Sequence, residues 1–316
     1  YNSSGVFQWV LEVGSDNSHD WIEDFEIDGS GNIYITGSFE DESDFDPSGS
    51  TRNLTPVGDT DIFFAKYNSS RELQFAHSIG SSATDYGLDI DVDGSGNIYL
   101  AGVFRGTADF DPSGNTVNFS PDAVNDYNGF FAKYDSNGNY VWAKQLTGNS
   151  SVHGLQIEVA SNGDVIVAGH YYGTADFDPS GGTVNLTASG NQEDAFFARY
   201  TSDGLYRWVK SFGASSNDWV KRLELDGSDN IYIYGSFSGT SDFDFSSNTA
   251  NLSSSSGRSA VYLAKYDSTA GYLWANAFAT DNNPSLNTMT IDAVGNVYVT
   301  VGFSDVTIDM DPSNNT

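Results

Sequence analysis

The chain has 316 residues, of which 38% are apolar and 14% aromatic, which suffices for a packed core and argues against disorder. Its 43 Asp and Glu residues against 13 Lys and Arg give a formal net charge of -30, which argues against binding to nucleic acid and against insertion into a membrane. Cysteine is absent, and no run of 18 apolar residues predicts a spanning helix.

The predicted elements are β-strands separated by short turns. Apolar residues alternate at period two, which is typical of strands, and the turns are rich in Gly, Asn, Asp and Ser, which accept positive φ. One unit holds four strands, which we call A, B, C and D. In chain order the prediction places a D strand at 6–13, strand A around Phe25 and Ile27, strand B at 33–39, strand C at 62–67, and in the next unit strand D at 140–146. No helix is predicted.

The same unit recurs along the whole chain. The Gly-Asn-Ile-Tyr segment at Asn32 has counterparts at Asn97, Asp164, Asn230 and Asn296, in steps of 65, 67, 66 and 66 residues. Strands this apolar need cover on both faces, which radial stacking of sheets supplies, whereas a β-helix uses shorter coils. The sequence therefore predicts an all-β fold, one β-propeller domain over residues 1–316, built from four-stranded antiparallel blades. The predicted blades cover 20–80, 86–147, 153–213 and 219–278, with a partial blade at 286–316.

At least five blades are predicted, and six or seven remain open, because the two ends of the chain suggest an excised fragment of a longer repeat protein. The units resemble the bacterial β-propeller repeat abbreviated SBBP, in its Asp-Phe-Asp-Pro-containing form. The resemblance is carried by residues 96–99, 109–112, 130–134 and 141–144. It implies a secreted or surface-attached bacterial protein, and hence an extracellular or cell-surface location.

A repeated Asp-Phe-Asp-Pro-Ser segment connects strands B and C, since proline ends strand pairing. Two carboxylates and a hydroxyl are oxygen ligands that Ca²⁺ prefers, so these connections are candidate calcium sites. The alternative interpretation is that the aspartates only form turns. The candidate metal ligands are Asp44, Asp46, Asp109, Asp111, Asp176, Asp178, Asp242, Asp244, Asp309 and Asp311.

Because the strands alternate in direction, the B-to-C and D-to-A connections emerge on one face, which we call the mouth face. Aromatic and acidic residues recur there at the start of strand A, and a sugar ring can stack on such rings while carboxylates accept its hydroxyls. Core packing is the alternative. The candidate ligand-binding residues are Asp20, Trp21, Asp85, Tyr86, His153, Asp218 and Trp219.

A second acidic set recurs within strand A, at a position where the fifth unit has Thr290. If strand A is innermost, these carboxylates line an axial channel and repel one another. The alternative is that they pair with Lys66, Lys133, Arg199 and Lys265 of strand C. The acidic set comprises Glu26, Asp91, Glu158 and Glu224.

The sequence contains no nucleophile motif, and its four histidines fall at unmatched repeat positions. We therefore expect no catalysis and no organic cofactor, but a secreted or cell-surface adhesion or interaction scaffold with calcium-stabilised loops. Its partner is expected to be a protein or glycan on the mouth face. A lectin-like propeller is the alternative, and a glycan-active hydrolase using the acidic face is a third hypothesis.

Overall fold

The computed structural model describes residues 1–15, 18–121, 127–149, 151–214, 216–254, 258–278 and 285–302. These residues form β-strands and one 3-10 helix of three residues, Ser189–Asn191, and none forms a helix long and apolar enough to cross a membrane. The candidate ligands Asp309 and Asp311 lie outside the described residues, as does the end of the partial fifth blade.

Four antiparallel sheets repeat the predicted order A-B-C-D, which confirms the propeller blades. Blade 1 contains β1 (Asp20–Ile27), β2 (Ile33–Phe39), β3 (Ser43–Asp44), β4 (Asn53–Leu54), β5 (Asp61–Tyr67) and β6 (Leu73–Ile79). Blade 2 contains β7 (Tyr86–Val92), β8 (Ile98–Phe104), β9 (Ala108–Asp109), β10 (Asn118–Phe119), β11 (Asn128–Tyr134) and β12 (Tyr140–Gly148).

The third and fourth blades follow the same plan. Blade 3 contains β13 (Val152–Val159), β14 (Val165–Tyr172), β15 (Thr174–Asp176), β16 (Asn185–Thr187), β17 (Glu193–Tyr200) and β18 (Tyr206–Phe212). Blade 4 contains β19 (Trp219–Leu225), β20 (Ile231–Ser238), β21 (Thr240–Asp242), β22 (Asn251–Ser253), β23 (Ser259–Tyr266) and β24 (Tyr272–Phe278). The first two strands of blade 5 are β25 (Ser285–Ile291) and β26 (Val297–Gly302).

Each of the four described B-to-C connections contains a short hairpin that the sequence analysis did not anticipate. Strands β3 and β4, β9 and β10, β15 and β16, and β21 and β22 pair with each other. In blade 3 this hairpin also pairs with strand D of blade 2, through Thr147 with Asp176 and Gly148 with Ala175. The connections therefore help to join neighbouring blades.

The blades stack through apolar side chains of strand A. Ile90 of blade 2 is buried against Tyr34, Ile62 and Phe64 of blade 1, and Ile157 of blade 3 packs in the same way on blade 2. Strand A is the innermost strand, because A strands of different blades contact one another: Asp24 accepts the Ile90 N–H, and Arg222 of blade 4 lies 3.7 Å from Asp89 of blade 2. This places the four A strands around a common axis.

The segment predicted as a D strand at residues 6–13 is not part of a β-ladder. Leu11 and Val13 pack on the core of blade 1, and Gly14 makes an isolated bridge with Asp44. That bridge matches the Thr147–Asp176 pair in the repeat, so the segment lies where a D strand would lie. A D strand pairs with the C strand before it, and no described residue supplies that partner.

Candidate functional site

The A strands carry a register shift at the same place in every blade. The shift falls between Ile22 and Asp24, Gly87 and Asp89, His153 and Gln156, Val220 and Arg222, and Leu286 and Thr288. A bulge of this kind re-aims the side chains that follow it, and bulges are over-represented beside functional sites. The residues just after the bulge differ between blades: Asp24, Asp89, Gln156, Arg222 and Thr288.

Carboxylates on strand A hold the inner edge of the next blade. Asp89 Oδ2 accepts the Ile157 N–H at 2.6 Å, and Asp91 Oδ2 accepts the Val159 N–H at 2.7 Å. Asp24 does the same for the next blade along. Because strand A is an edge strand, its outward N–H groups need such partners.

The predicted channel carboxylates do converge on the axis. Burial raises the pKa of Glu158 well above its usual value, and Asp91, Glu224 and Glu26 raise it further. Burial likewise raises the pKa of Asp91 and of Glu224 to about 7. The pKa of Glu26 is also raised by burial, with a contribution from Asp24. Mutual repulsion in a buried site favours the neutral acids.

The strand C cations do not pair with these acids, so that alternative interpretation was wrong. Lys66 Nζ donates to the Ser136 carbonyl at 2.9 Å, and Lys265 lies 3.1 Å from Asp226. Arg199 pairs with Asp164 at 2.8 Å. These contacts lie at the hairpin turns, on the face opposite to the mouth, because strand C runs away from the bulge before its basic residue is reached.

The candidate ligand-binding aspartates are engaged inside the protein. Asp218 is buried and accepts the N–H groups of Ala214 and Ser238, both at 2.9 Å. Asp85 is equally buried and accepts those of Ser81 at 2.6 Å and Arg105 at 2.8 Å. Burial raises the pKa of Asp85, and it raises that of Asp218 to about 7. These carboxylates join the D-to-A connection to the end of strand B.

Asp20 has the same role in blade 1, through Ser15 N–H at 2.6 Å and Ser43 Oγ at 2.9 Å. Blade 3 departs from the pattern, since Val152 occupies this position. The aspartates of this set therefore position the mouth-face connections, and the aromatic members are the ones left facing outward.

An aromatic row crosses three blades on the mouth face. Tyr86 lies 6.1 Å from Tyr127, measured between ring centroids, and Tyr127 lies 5.7 Å from His153. His153 is 5.8 Å from His170, which is 5.8 Å from Trp219. Trp21 of blade 1 stacks on His19 instead, at 5.5 Å. The structure thus joins Tyr86, His153 and Trp219 but leaves Trp21 apart.

A cavity of about 510 Å³ opens beside this row, and we call it the mouth cavity. All five A strands contribute to its lining, which places it on the axis. Its polar and aromatic lining includes Glu23, Gln156, His170, Trp219, Lys221 and Arg222. Arg222 Nη1 donates to Gln156 Oε1 at 2.9 Å and lies 3.7 Å from Asp89 Oδ1.

The Asp-Phe-Asp segments of blades 1 to 4 form turns whose geometry is the same in each of these blades. Asp109 Oδ1 accepts the N–H groups of Asp111 at 3.1 Å and Val117 at 2.8 Å, and Asp111 Oδ1 accepts that of Ser113 at 2.9 Å. Asp44 and Asp46, Asp176 and Asp178, and Asp242 and Asp244 repeat these bonds. Across the described ranges no cluster of three or more His, Asp or Glu side chains is arranged to hold a metal ion.

Sequence reasoning missed His170, Arg222 and Tyr127. The signal for His170 was its departure from the repeat, because the equivalent residues are Ser38, Val103 and Ser236. Arg222 likewise stands where two other blades have aspartate. Tyr127 had no comparable signal.

Residues 8–38 match the family model described as SBBP, β-propeller repeat. Among curated proteins, the chain is 25% identical, over an alignment of 234 positions that covers 64% of the chain, to an uncharacterized WD repeat-containing protein, L264, of Acanthamoeba polyphaga mimivirus. In a second, overlapping alignment of 185 positions, which covers 56% of the chain, it is 26% identical to the regulatory protein FlaEY of Caulobacter vibrioides. The chain spans 16% and 18% of the lengths of these relatives. The fold and the repeat type predicted from the sequence agree with these matches.

Proposed function

We propose that this chain is a non-catalytic protein-interaction scaffold that binds a polypeptide partner on its mouth face. Support comes from the propeller-type repeats and from the likeness to a WD repeat-containing protein and to a regulatory protein. Propellers support many unrelated functions, so the fold alone does not indicate which face binds the partner.

The aromatic row is the observation that carries the choice of face. It crosses blades 2 to 4 on a rigid base, and its members differ between blades although the cores are alike. Tyrosine and tryptophan are enriched where proteins bind one another, because their rings give large contact areas at low entropic cost. Variable side chains on an invariant frame are what a specific binding surface requires.

We further propose that the protein is exported to the cell surface, acts in adhesion, and has B-to-C connections that bound calcium stabilises. For calcium, the N–H groups of each described turn converge on Oδ1 of the first aspartate, so Oδ2 is the atom that would bind the cation. We expect protein that has been freed of metal with a chelator to gain several degrees in melting temperature on addition of Ca²⁺ but not of Na⁺. A Tm and a titration heat that do not respond to Ca²⁺ would remove this part.

The docking face is tested with two variants of the full chain. Proteins captured by the wild-type chain are purified one by one. The affinity of each is then measured for the wild-type chain, for the double variant Tyr86→Ala, Tyr127→Ala, and for the variant Leu205→Ala. Leu205 is an exposed apolar residue of a hairpin turn on the opposite face.

We expect a true partner to bind the double variant at least tenfold more weakly and Leu205→Ala unchanged, because only the first removes rings from the mouth face. Partners that ignore the double variant, or that depend on Leu205, would refute docking at the mouth.

A further inference from the structure

The mouth cavity has features of a small-ligand site that protein docking does not explain. Its volume of about 510 Å³ lies within the roughly 300–1,000 Å³ typical of ligand pockets. Its lining combines apolar side chains such as Trp219 and Val220 with polar ones such as Gln156 and Arg222, so it offers an apolar surface and several hydrogen-bonding groups. Its two distinctive residues, His170 and Arg222, occur at these repeat positions in one blade each.

His170 is held in place with an unused nitrogen. Its ring lies against Gly154, whose φ of +60° and lack of a side chain make the room, since a Cβ there would lie 2.5 Å from the ring carbon Cε1. The Nδ1 atom is buried without a hydrogen-bond partner among the described residues. Burial lowers the pKa of His170 to about 3, so the ring is neutral and offers one donor and one acceptor.

Trp219 forms a rigid wall beside it. The side chain is 40% exposed, and its Nε1 donates to Glu193 Oε2 at 2.6 Å, which fixes the ring plane. An exposed indole with such a hydrogen bond presents a flat apolar surface on which the C–H face of a sugar ring can pack.

The polar groups of the cavity suit an uncharged ligand with hydroxyls. Arg222 Nε is buried without a hydrogen-bond partner among the described residues, so it is a second unused donor. Lys221, Arg222 and Glu23 all line the cavity, and Asp89 lies 3.7 Å from Arg222, so both signs of charge are present. The net charge of -30 disfavours the approach of anions.

We propose that the mouth cavity binds a neutral pyranose ring, which stacks on Trp219 and forms hydrogen bonds with the unused Nδ1 of His170 and Nε of Arg222. This activity is additional to protein docking, since it needs neither Tyr86 nor Tyr127. It also narrows the sugar-binding residues to blades 3 and 4 and excludes Trp21, which the cavity does not include.

The test is calorimetric titration of the full chain with a panel of neutral methyl hexosides, 6-deoxyhexosides and N-acetylhexosaminides, alongside glucuronic and sialic acids. We expect saturable binding of at least one neutral glycoside, with a change in tryptophan fluorescence. Trp219→Ala and His170→Ser should each weaken it at least tenfold. Serine is the residue that blades 1 and 4 have at the position of His170, so the second variant keeps the fold.

Trp21→Ala is the matched control, because Trp21 is equally exposed, at 39%, and occupies the same repeat position. It should leave the affinity unchanged. The proposal is overturned if no neutral glycoside binds at millimolar concentration, if only the acidic sugars bind, or if Trp21→Ala weakens binding as much as Trp219→Ala. Circular dichroism and melting temperature confirm that each variant is folded.

Discussion

At the scale of single residues, the buried aspartates at the start of strand A have a mechanical role. Asp218 and Asp85 each accept two backbone N–H groups, one from the D-to-A connection and one from the end of strand B. A carboxylate suits this task because it has two oxygens and no donor. The aromatic neighbour of each aspartate is thereby held on the mouth face.

Replacing Asp218 by Ala should lower the free energy of unfolding by about 2–4 kcal/mol, because it leaves two buried N–H groups without acceptors. Urea denaturation measures this change. Asp203→Ala, at an exposed turn position, is the control and should stay within ~0.5 kcal/mol of wild type. Equal stability of the two variants would contradict the assigned role.

Gly235 illustrates a second residue-scale constraint. A Cβ at this position of strand B would lie 1.9 Å from the Trp219 carbonyl oxygen and 2.6 Å from Tyr262 Oη. The bulge in strand A brings that carbonyl onto strand B, so only glycine fits.

We expect Gly235→Ala to cost at least ~2 kcal/mol through forced backbone movement. Gly227→Ala, where a Cβ meets nothing within 4 Å, should change stability by less than ~0.5 kcal/mol. Both values are obtained from chemical denaturation of otherwise identical chains. A neutral Gly235→Ala would show that the bulge can relax.

At the scale of elements, strand A serves two purposes at once. Its apolar side chains pack on the preceding blade, while its carboxylates satisfy the inner edge of the following blade. The second role gathers like charges on the axis, where burial raises their pKa values. Turn aspartates such as Asp93 and Asp135 act oppositely, since hydrogen bonds to Asn97 and Asn139 offset burial and lower their pKa values.

The two groups predict an optimum of stability near pH 5. A carboxyl whose pKa is raised on folding contributes most below its unfolded value of ~4, and loses that contribution as pH rises to about 7. A carboxyl whose pKa is lowered contributes above ~4 and fails below it. The melting temperature should therefore be several degrees higher at pH 5 than at pH 8.

The variant Glu158→Gln should have a smaller difference in melting temperature between pH 5 and pH 8. The substitution removes a carboxylate whose charge is repelled by those of Asp91, Glu224, Asp89 and Glu26. Glu12→Gln, an exposed residue, should leave it as it was. If Glu158→Gln had the pH profile of wild type, the carboxylates would not be coupled on the axis.

At the scale of the whole molecule, one face of blade 1 differs from its counterparts. Phe25 is 59% exposed, whereas the equivalent Ile90, Ile157, Leu223 and Met289 are 1–3% exposed. Those four residues each pack on a preceding blade, and no described blade covers Phe25. The same sequence position therefore has opposite energetic roles.

Ile157→Ala should cost about 2–5 kcal/mol, as for other buried aliphatic truncations, whereas Phe25→Ala should cost less than ~1 kcal/mol. Urea unfolding of the two variants gives the comparison, with sedimentation to verify that both stay in the same oligomeric state. Similar costs would mean that Phe25 is covered in solution.

Local sequence determined the blade itself. Period-two alternation and turn residues placed strand B at 33–39, where β2 lies, and strand C within one residue of β5, because adjacent antiparallel strands need only local pairing. Register across repeats also indicated the acidic axial set. Residues 6–13 carry the pattern of a D strand but form no ladder, because no described residue supplies the C strand with which a D strand pairs.

Tertiary structure alone decided which side chains meet. Asp111 forms a turn and Asp218 joins two connections only because the folded chain brings backbone N–H groups to their carboxylates. The approach of His170 to Trp219 depends on the stacking of blades 3 and 4. Distances of this kind are set by the twist between sheets, which no single repeat encodes. The local sequence thus specified the single blade, while the packing of blades around an axis created the mouth cavity.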